Sequence, residues 1–318
     1  MNQNANAIIT LCSHVSVGEG VSPLEPKEYG ELAQLLTQAG KAPEDLFAFS
    51  REDYGAVLNY DEAQTERIMR LLDRNASLMF ALGEYGNMGI NVITRADAQY
   101  PKALKKKLVN GCPPLFYYAG DLSLPEGELI GYVGARTVAQ EDLDFTVKTV
   151  KKTTALGYGV VSGGAKGVDT IAGTQALLDG GVSVEYLSDS LLKKLKKSEA
   201  VRNIQQGRLL MLSVAKPDAG FNVGFAMMRN RYIYAQSKGT VIVRSDLNKG
   251  GTWTGANENL KNNWCPALCW NHPYPGNQAL IEKGAVPIGE DWDGKIPTQT
   301  GVKAAAESFA QTSLFDLG

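Results

Sequence analysis

The chain has 318 residues, 44% of them hydrophobic and 21% charged, with a formal net charge of −2. That apolar fraction supports a packed core and excludes wholesale disorder, the length fits about two domains, and no run of about 18 apolar residues predicts a transmembrane helix. The near-neutral balance excludes a surface coated in positive charge, yet leaves room for the local basic patch that phosphate binding needs.

Residues 1–23 form an N-terminal segment with no basic n-region and only a broken apolar stretch, so no secretory signal is expected. The chain is expected in the cytoplasm, where thiols stay reduced. Residues 24–85 read as a small all-α module, resembling SAM or helix-hairpin-helix units. Glu31–Ala39 carries Leu32, Leu35 and Leu36 at helical spacing, Ala42-Pro43-Glu44-Asp45 starts a second turn, and Asp61–Phe80 is predicted as one longer amphipathic helix. A short extended piece, Ile90–Thr94, is followed by the Pro-rich approach Tyr100-Pro101, Pro113-Pro114 and Pro125.

From residue 129 strands and helices alternate. Strands are predicted at Leu129–Val133, Gly159–Val161, Val182–Leu187, Leu209–Ser213, Thr240–Arg244 and Ala267–Trp270. Helices are predicted at Glu141–Leu156, Val168–Leu178, Ser190–Gln206, Phe225–Gln236 and Trp253–Asn262, and the last strand closes the series before Asn277–Lys283. Short apolar strands separated by such helices predict an α/β fold: a Rossmann-like, doubly wound, mainly parallel sheet. Its domain is taken as 86–290, including the extended lead-in, with 291–318 a flexible C-terminal tail.

In such sheets ligands bind beyond the C-terminal strand ends. Three glycine turns fall there: Gly131-Tyr132-Val133-Gly134-Ala135-Arg136, Ser162-Gly163-Gly164-Ala165-Lys166-Gly167-Val168-Asp169, and Lys249-Gly250-Gly251-Thr252-Trp253-Thr254. Glycine lets backbone N–H groups approach an anion, and arginine offers phosphate a planar fork. Arg229-Asn230-Arg231 adds two guanidiniums. Each turn alone is as well explained by a tight strand-to-helix connection; three together with the arginines favour an anion site. Neither the P-loop spacing nor a proper G-x-G-x-x-G fingerprint is present, so ATP hydrolysis and hydride transfer are not indicated. Asp169 reads as a cap or brace of its helix.

The candidate phosphate-binding residues are therefore Arg136, Ser162, Gly163, Gly164, Lys166, Arg229, Arg231, Gly250, Gly251 and Thr252. A secondary basic patch comprises Lys148, Lys151, Lys152, Lys193, Lys194, Lys196 and Lys197, whose alternative is a solvated helix face. No catalytic residue is assigned, because His14 and His272 lie far from the turns and no Ser/His/Asp or Cys/His arrangement is readable. Cys265-x3-Cys269-x2-His272 has a metal-like look but no second short-spaced ligand pair, so these residues read as a buried strand with its flanks. No cofactor and no metal are expected.

Together these motifs resemble the DNA-processing protein A family (DprA, also called Smf) across residues 24–290. The resemblance runs through Tyr100-Pro101-x-x-Leu104, Pro114-Leu115-Phe116-Tyr117-x-x-Gly120, Val133-Gly134-Ala135-Arg136 and Ser162–Asp169. It continues through Arg229-Asn230-Arg231-Tyr232-Ile233, Gly250–Ala256 and Gly276-Asn277-Gln278-Ala279-Leu280-Ile281. It implies a single-stranded-DNA-binding protein of recombination and DNA processing that helps load a RecA-type recombinase, usually as a homodimer and without catalysis. It also implies that Arg136 and Lys166 contact phosphate, that the Ser162 and Gly250 turns line the site, and that Arg229 and Arg231 support it. The family's A-x-x-A-H segment lacks its histidine here, at Thr174, and no C-terminal winged helix follows residue 290, so the chain reads as a divergent member. Divergent members also occur in anti-phage and toxin–antitoxin loci, which brings in phage defence and a toxin partner. The tail Gln311-Thr312-Ser313-Leu314-Phe315 resembles the sliding-clamp-binding pentapeptide, with a packed tail as the alternative. Two rival functions stand beside this one. One is a nucleotide-sensing or antitoxin protein; the other is an enzyme cleaving nucleoside monophosphates, although Glu258 is out of register with that enzyme's loop.

Overall fold

A computed structural model describes residues 2–18 and 20–297. These residues form two compact units, the first drawn from 2–119, 189–196 and 212–220, the second from 120–188, 197–211 and 221–297. The lead-in from 86 to 119 falls within the first unit.

The chain begins with α1 (Gln3–Cys12), a helix not foreseen in the N-terminal segment, which starts on Asn2 accepting a hydrogen bond from the Ala5 amide. It is followed by α2 (Pro26–Gln38), α3 (Arg51–Leu58), α4 (Glu62–Asp73) and α5 (Asn75–Asn87). The helix expected over Asp61–Phe80 is thus two helices, broken at Arg74. The Arg74 guanidinium donates to the carbonyls of Thr10, Ser13 and Val15, so it closes the end of α1 while the chain turns. The first unit also holds β1 (Asn91–Thr94), α6 (Lys102–Leu108) and β2 (Leu115–Gly120, with Gly120 in the second unit); β1 and β2 pair antiparallel. The run read as a Pro-rich approach therefore hides a strand, because Leu115–Ala119 follows Pro114 too closely to show its own turn signal.

The second unit runs β3 (Leu129–Val133), α7 (Gln140–Ala155), β4 (Gly159–Ser162), α8 (Val168–Leu178) and β5 (Ser183–Leu187). Next come α9 (Leu191–Leu195, in the first unit) and α10 (Ser198–Gln205), where one helix was expected over Ser190–Gln206. Lys193, Lys196 and Lys197 would stack at i, i+3 and i, i+4 in a continuous helix, and like charges at that spacing oppose it. The unit continues with β6 (Leu209–Ser213, with Leu212 and Ser213 in the first unit), α11 (Val223–Gln236), β7 (Gly239–Ile242), α12 (Gly250–Asn262), β8 (Ala267–Trp270), α13 (Pro275–Glu282) and the unforeseen β9 (Val286–Ile288).

Strand order here is β6-β5-β4-β3-β7-β8-β9. The ladders β3–β4, β3–β7, β4–β5, β7–β8 and β8–β9 are all parallel, which makes a Rossmann-like, mainly parallel sheet. Ile130 and Tyr132 of β3 face a buried cluster with Phe145 and Val150 of α7 and Val168 and Ala172 of α8. Alternation turns Gly131 to the other face, where a Cβ would meet the Ser237 hydroxyl at the end of α11 at 2.5 Å. Order reverses at β3: the chain proceeds to β4 on one side and β7 on the other. A parallel sheet opens a crevice above such a switch point.

Candidate phosphate-binding cleft

The crevice is a cleft of about 600 Å³ above β3, β4 and β7. Its wall carries Arg136, Lys166, Arg229, Arg244 and Lys249, the glycine pair Gly250-Gly251, and Thr252. Two acids, Asp169 and Asp246, also line it.

The floor is built around one buried ion pair. Arg229 Nη1 lies 2.9 Å from Asp169 Oδ2, with side chains 7% and 6% exposed. The same carboxylate oxygen accepts the Gly163 amide at 3.2 Å, and the Ser162 hydroxyl donates to the Asp169 carbonyl at 3.3 Å. A Cβ at Gly163 would overlap the Arg229 guanidinium, so this close approach requires glycine. The second close approach is at Gly167, whose φ is +83° and whose Cβ would strike the Ala135 carbonyl; the Val168 amide donates to that carbonyl at 3.3 Å. The β3–α7 and β4–α8 turns are thereby locked together. Thr252 ties in the third turn by donating to the Gly134 carbonyl at 3.1 Å, and the Asn230 amide donates to the Gly251 carbonyl at 3.0 Å.

Over this floor stand Arg136 and Lys166, and the Arg136 guanidinium lies 4.8 Å from the centre of the Phe221 ring. Phe221 is 52% exposed, and Val223 beside it is exposed as well. Arg244 Nη1 pairs with Asp142 at 3.2 Å, and its guanidinium covers the Tyr274 ring at 4.5 Å. The arrangement offers oriented N–H donors, cations and one aromatic face. It suits a ligand that carries phosphate beside a flat apolar group.

The profile of the family "DNA recombination-mediator protein A" matches residues 91–293. The chain belongs to this family. It is 25% identical to the DNA processing protein DprA of Bacillus subtilis over 223 residues, which span 68% of this chain and 74% of that protein. Two solved structures share its fold. DNA processing protein A of Streptococcus pneumoniae superposes with a TM-score of 0.61 at 19% identity, covering 83% of this chain and 95% of that one. The Helicobacter pylori DNA processing protein A, described for its single-stranded DNA binding mode, gives 0.53 at 24% identity, covering 69% and 96%.

Within this family member the residues singled out from sequence separate into three groups. Arg136, Lys166, Arg229, Gly250, Gly251 and Thr252 line the cleft. Ser162, Gly163 and Gly164 lie in the turn beneath it, where Ser162 and Gly163 bond to Asp169, so their role is to shape the floor. Arg231, on the same helix as Arg229, instead pairs with Glu258 of α12 at 2.8 Å and does not line the cleft. Nor do the lysines of the secondary patch form one surface that the structure defines. Lys193, Lys194 and Lys196 belong to the first unit, while Lys148, Lys151, Lys152 and Lys197 belong to the second. Lys148 pairs with Glu290 at 2.8 Å, and Lys152 donates to the Glu290 and Trp292 carbonyls at 2.9 and 2.6 Å. The tail residues Gln311, Ser313, Leu314 and Phe315 lie outside the described residues.

Arg244 and Phe221 escaped the sequence reading. A charged residue just past a parallel strand was a usable signal for Arg244. Phe221 gave none, because a lone aromatic in a polar stretch has no period. Cys265 and Cys269 are buried; Cys265 shares a hydrogen bond with Thr240, and His272 stacks on Trp270 at 4.3 Å. Among the described residues no group of three or more His, Cys, Asp or Glu is placed to hold a metal ion.

Proposed function

We propose that the protein binds single-stranded DNA in this cleft and acts in DNA recombination and processing. The observation that carries the reading is the convergence of Arg136, Lys166 and the Gly250-Gly251 helix start on one concave edge, with Phe221 on its rim, in a member of a recombination-mediator family. Phosphates would sit against the cations and turn amides, and a base against the Phe221 face, so binding would be salt-sensitive and largely indifferent to sequence. The relative from H. pylori, described by its single-stranded DNA binding, supports the assignment.

The reading is non-enzymatic. Glu258, out of register with the loop that nucleoside-monophosphate hydrolysis uses, is paired with Arg231 of α11. A nucleotide-sensing or antitoxin role, with a toxin as partner, remains the competing use of the same cleft. As finer proposals we assign recombinase loading, a homodimeric state, a cytoplasmic location and a sliding-clamp contact through Gln311, Ser313, Leu314 and Phe315. Phage defence is the proposed setting for so divergent a member. Among the described residues no helix is long and apolar enough to cross a membrane.

The test is fluorescence anisotropy with labelled oligothymidine across a salt series, with duplex DNA and mononucleotides as competitors. Salt-dependent binding to single strands, lowered about tenfold by Arg136→Ala or Lys166→Ala for any sequence, is the expected result. Displacement by a mononucleotide would move the cleft to the sensor reading. Unchanged affinity in both variants would remove the site assignment.

A further inference from the structure

We propose that Arg244 is a further phosphate-binding cation of the cleft, and that Asp142 and Tyr274 are positioning residues that hold its guanidinium in place. This rests on the reading of the cleft as the single-stranded DNA site.

The argument starts from the backbone. The Val243 amide donates to the Val133 carbonyl at 3.0 Å, so pairing with β3 continues one residue past the end of β7. Arg244 is the next residue, and it emerges at the sheet edge beside the turn that carries Arg136. Its side chain is then held from two directions. Asp142, in the first turn of α7, is fully buried, and its Oδ2 takes both the Ala139 amide at 2.8 Å and Arg244 Nη1 at 3.2 Å. Its other oxygen is buried without a hydrogen-bond partner. A buried carboxylate with one bare oxygen is tolerable only beside a cation, so Asp142 needs Arg244 where it is.

Tyr274 supplies the second restraint. Its ring lies under the guanidinium and is itself fixed in a stack: His272 at 4.1 Å, then Trp270, which lies 4.3 Å from Phe145 with the planes 12° apart. The Tyr274 hydroxyl donates to Glu141 at 2.5 Å, next to Asp142. Burial together with these two acids pushes the phenol pKa up, so the hydroxyl stays a donor at any physiological pH.

A comparison within the cleft separates a ligand-facing arginine from a structural one. Arg229 has 7% of its side chain exposed and spends its charge on Asp169 in the floor. Arg244 keeps 33% of its side chain exposed on the cleft wall after pairing with Asp142 through Nη1. A guanidinium has five N–H donors in a rigid fork, so one engaged nitrogen leaves others for phosphate. Ordering an arginine side chain costs rotamer entropy; here that cost is met on folding, before DNA arrives. A preordered fork on a concave wall is what phosphate recognition selects.

The experiment uses the full chain and labelled oligothymidine over a salt series, with thermal unfolding recorded for every variant. Arg244→Gln is expected to weaken binding about tenfold and to lower the slope of log K against log salt by about 0.7, the loss of one phosphate contact. Arg244→Lys is expected to keep the slope and lose several-fold in affinity, because the charge stays and the fork goes. Tyr274→Phe should match the parent, since the ring face remains; Tyr274→Ala should weaken binding several-fold without changing the slope. If Arg244→Gln does not fold because Asp142 is stranded, the double variant Asp142→Asn/Arg244→Gln removes the stranded charge and reads the same slope. Parent-like affinity and slope in Arg244→Gln or the double variant, while Arg136→Ala still loses binding, overturns this inference and leaves the cleft assignment intact. Absence of single-strand binding by the parent protein overturns both.

Discussion

The cations of the cleft and the lysines along α7 belong to the same unit and carry the same sign, yet they are held differently. Arg136, Lys166 and Arg229 stand where three strand-to-helix turns meet, over a floor closed by the Arg229–Asp169 pair and the Gly163 amide. Lys148 and Lys152 reach instead to Glu290 and to the Glu290 and Trp292 carbonyls, so part of their hydrogen-bonding capacity serves the packing of the chain beyond β9 onto α7. Counting charge in the sequence ranks the lysine runs above the cleft. Backbone geometry reverses that order, because turn amides, a helix start and a concave wall add to each cation where it stands.

The strongest way to break this contrast is to open the floor of the cleft. Gly163→Ala puts a methyl into the Arg229 guanidinium, and Arg229→Ala strands the Asp169 carboxylate. Breaking a buried pair by removing one partner costs about 3–5 kcal/mol, which in a unit of this size lowers the unfolding midpoint by roughly 10 °C. Both variants should also lose single-strand binding at a temperature where they remain folded. A Gly163→Ala protein with parent stability and affinity would mean that the floor yields easily and that charge alone makes the site.

That floor also marks how far the sequence could be read. The alternation of apolar runs and helices from residue 129 located β3 to β8 and the crevice above them, because buried parallel strands leave a plain signature. Glycine turns with Arg136 and Lys166 located the cleft for the same reason. Neighbouring residues on one helix were not separable: Arg229 and Arg231 differ by two positions, about 200° around α11, so one enters the floor and the other meets Glu258. Nor was Asp142 legible as a partner of Arg244, since a pair 102 residues apart is set by the register of β3 against β7. Strand β2 and the split at Arg74 were hidden because proline punctuation and a half-buried arginine act through tertiary contacts.

A smaller effect sharpens what the cleft adds beyond charge. Phe221 is exposed on the rim, with its ring against Arg136. Phe221→Ala should weaken single-strand binding about tenfold while leaving the salt slope unchanged, since stacking is worth about 1–3 kcal/mol per base and releases no counterion. Phe221→Trp should retain binding. A changed slope in Phe221→Ala would show that the ring acts by holding Arg136 and not by receiving a base.

The smallest effect belongs to the lysines, and it is the one that decides whether the contrast is real. Lys148 and Glu290 are 47% and 68% exposed, so their pair is screened by solvent and adds little to stability. Lys148→Ala/Lys151→Ala should leave the unfolding midpoint close to the parent and change single-strand affinity less than about twofold, because an exposed charge that does not line the cleft contributes only through a field that 0.15 M salt cuts off within about 8 Å. The affinity should be measured at low salt as well, where that field reaches farther. If the slope of log K against log salt drops by about 0.7 for each lysine removed, the strand runs along α7 as well as through the cleft. Lys148 would then leave Glu290 for phosphate when DNA binds, and the segment that packs on α7 would be the element displaced.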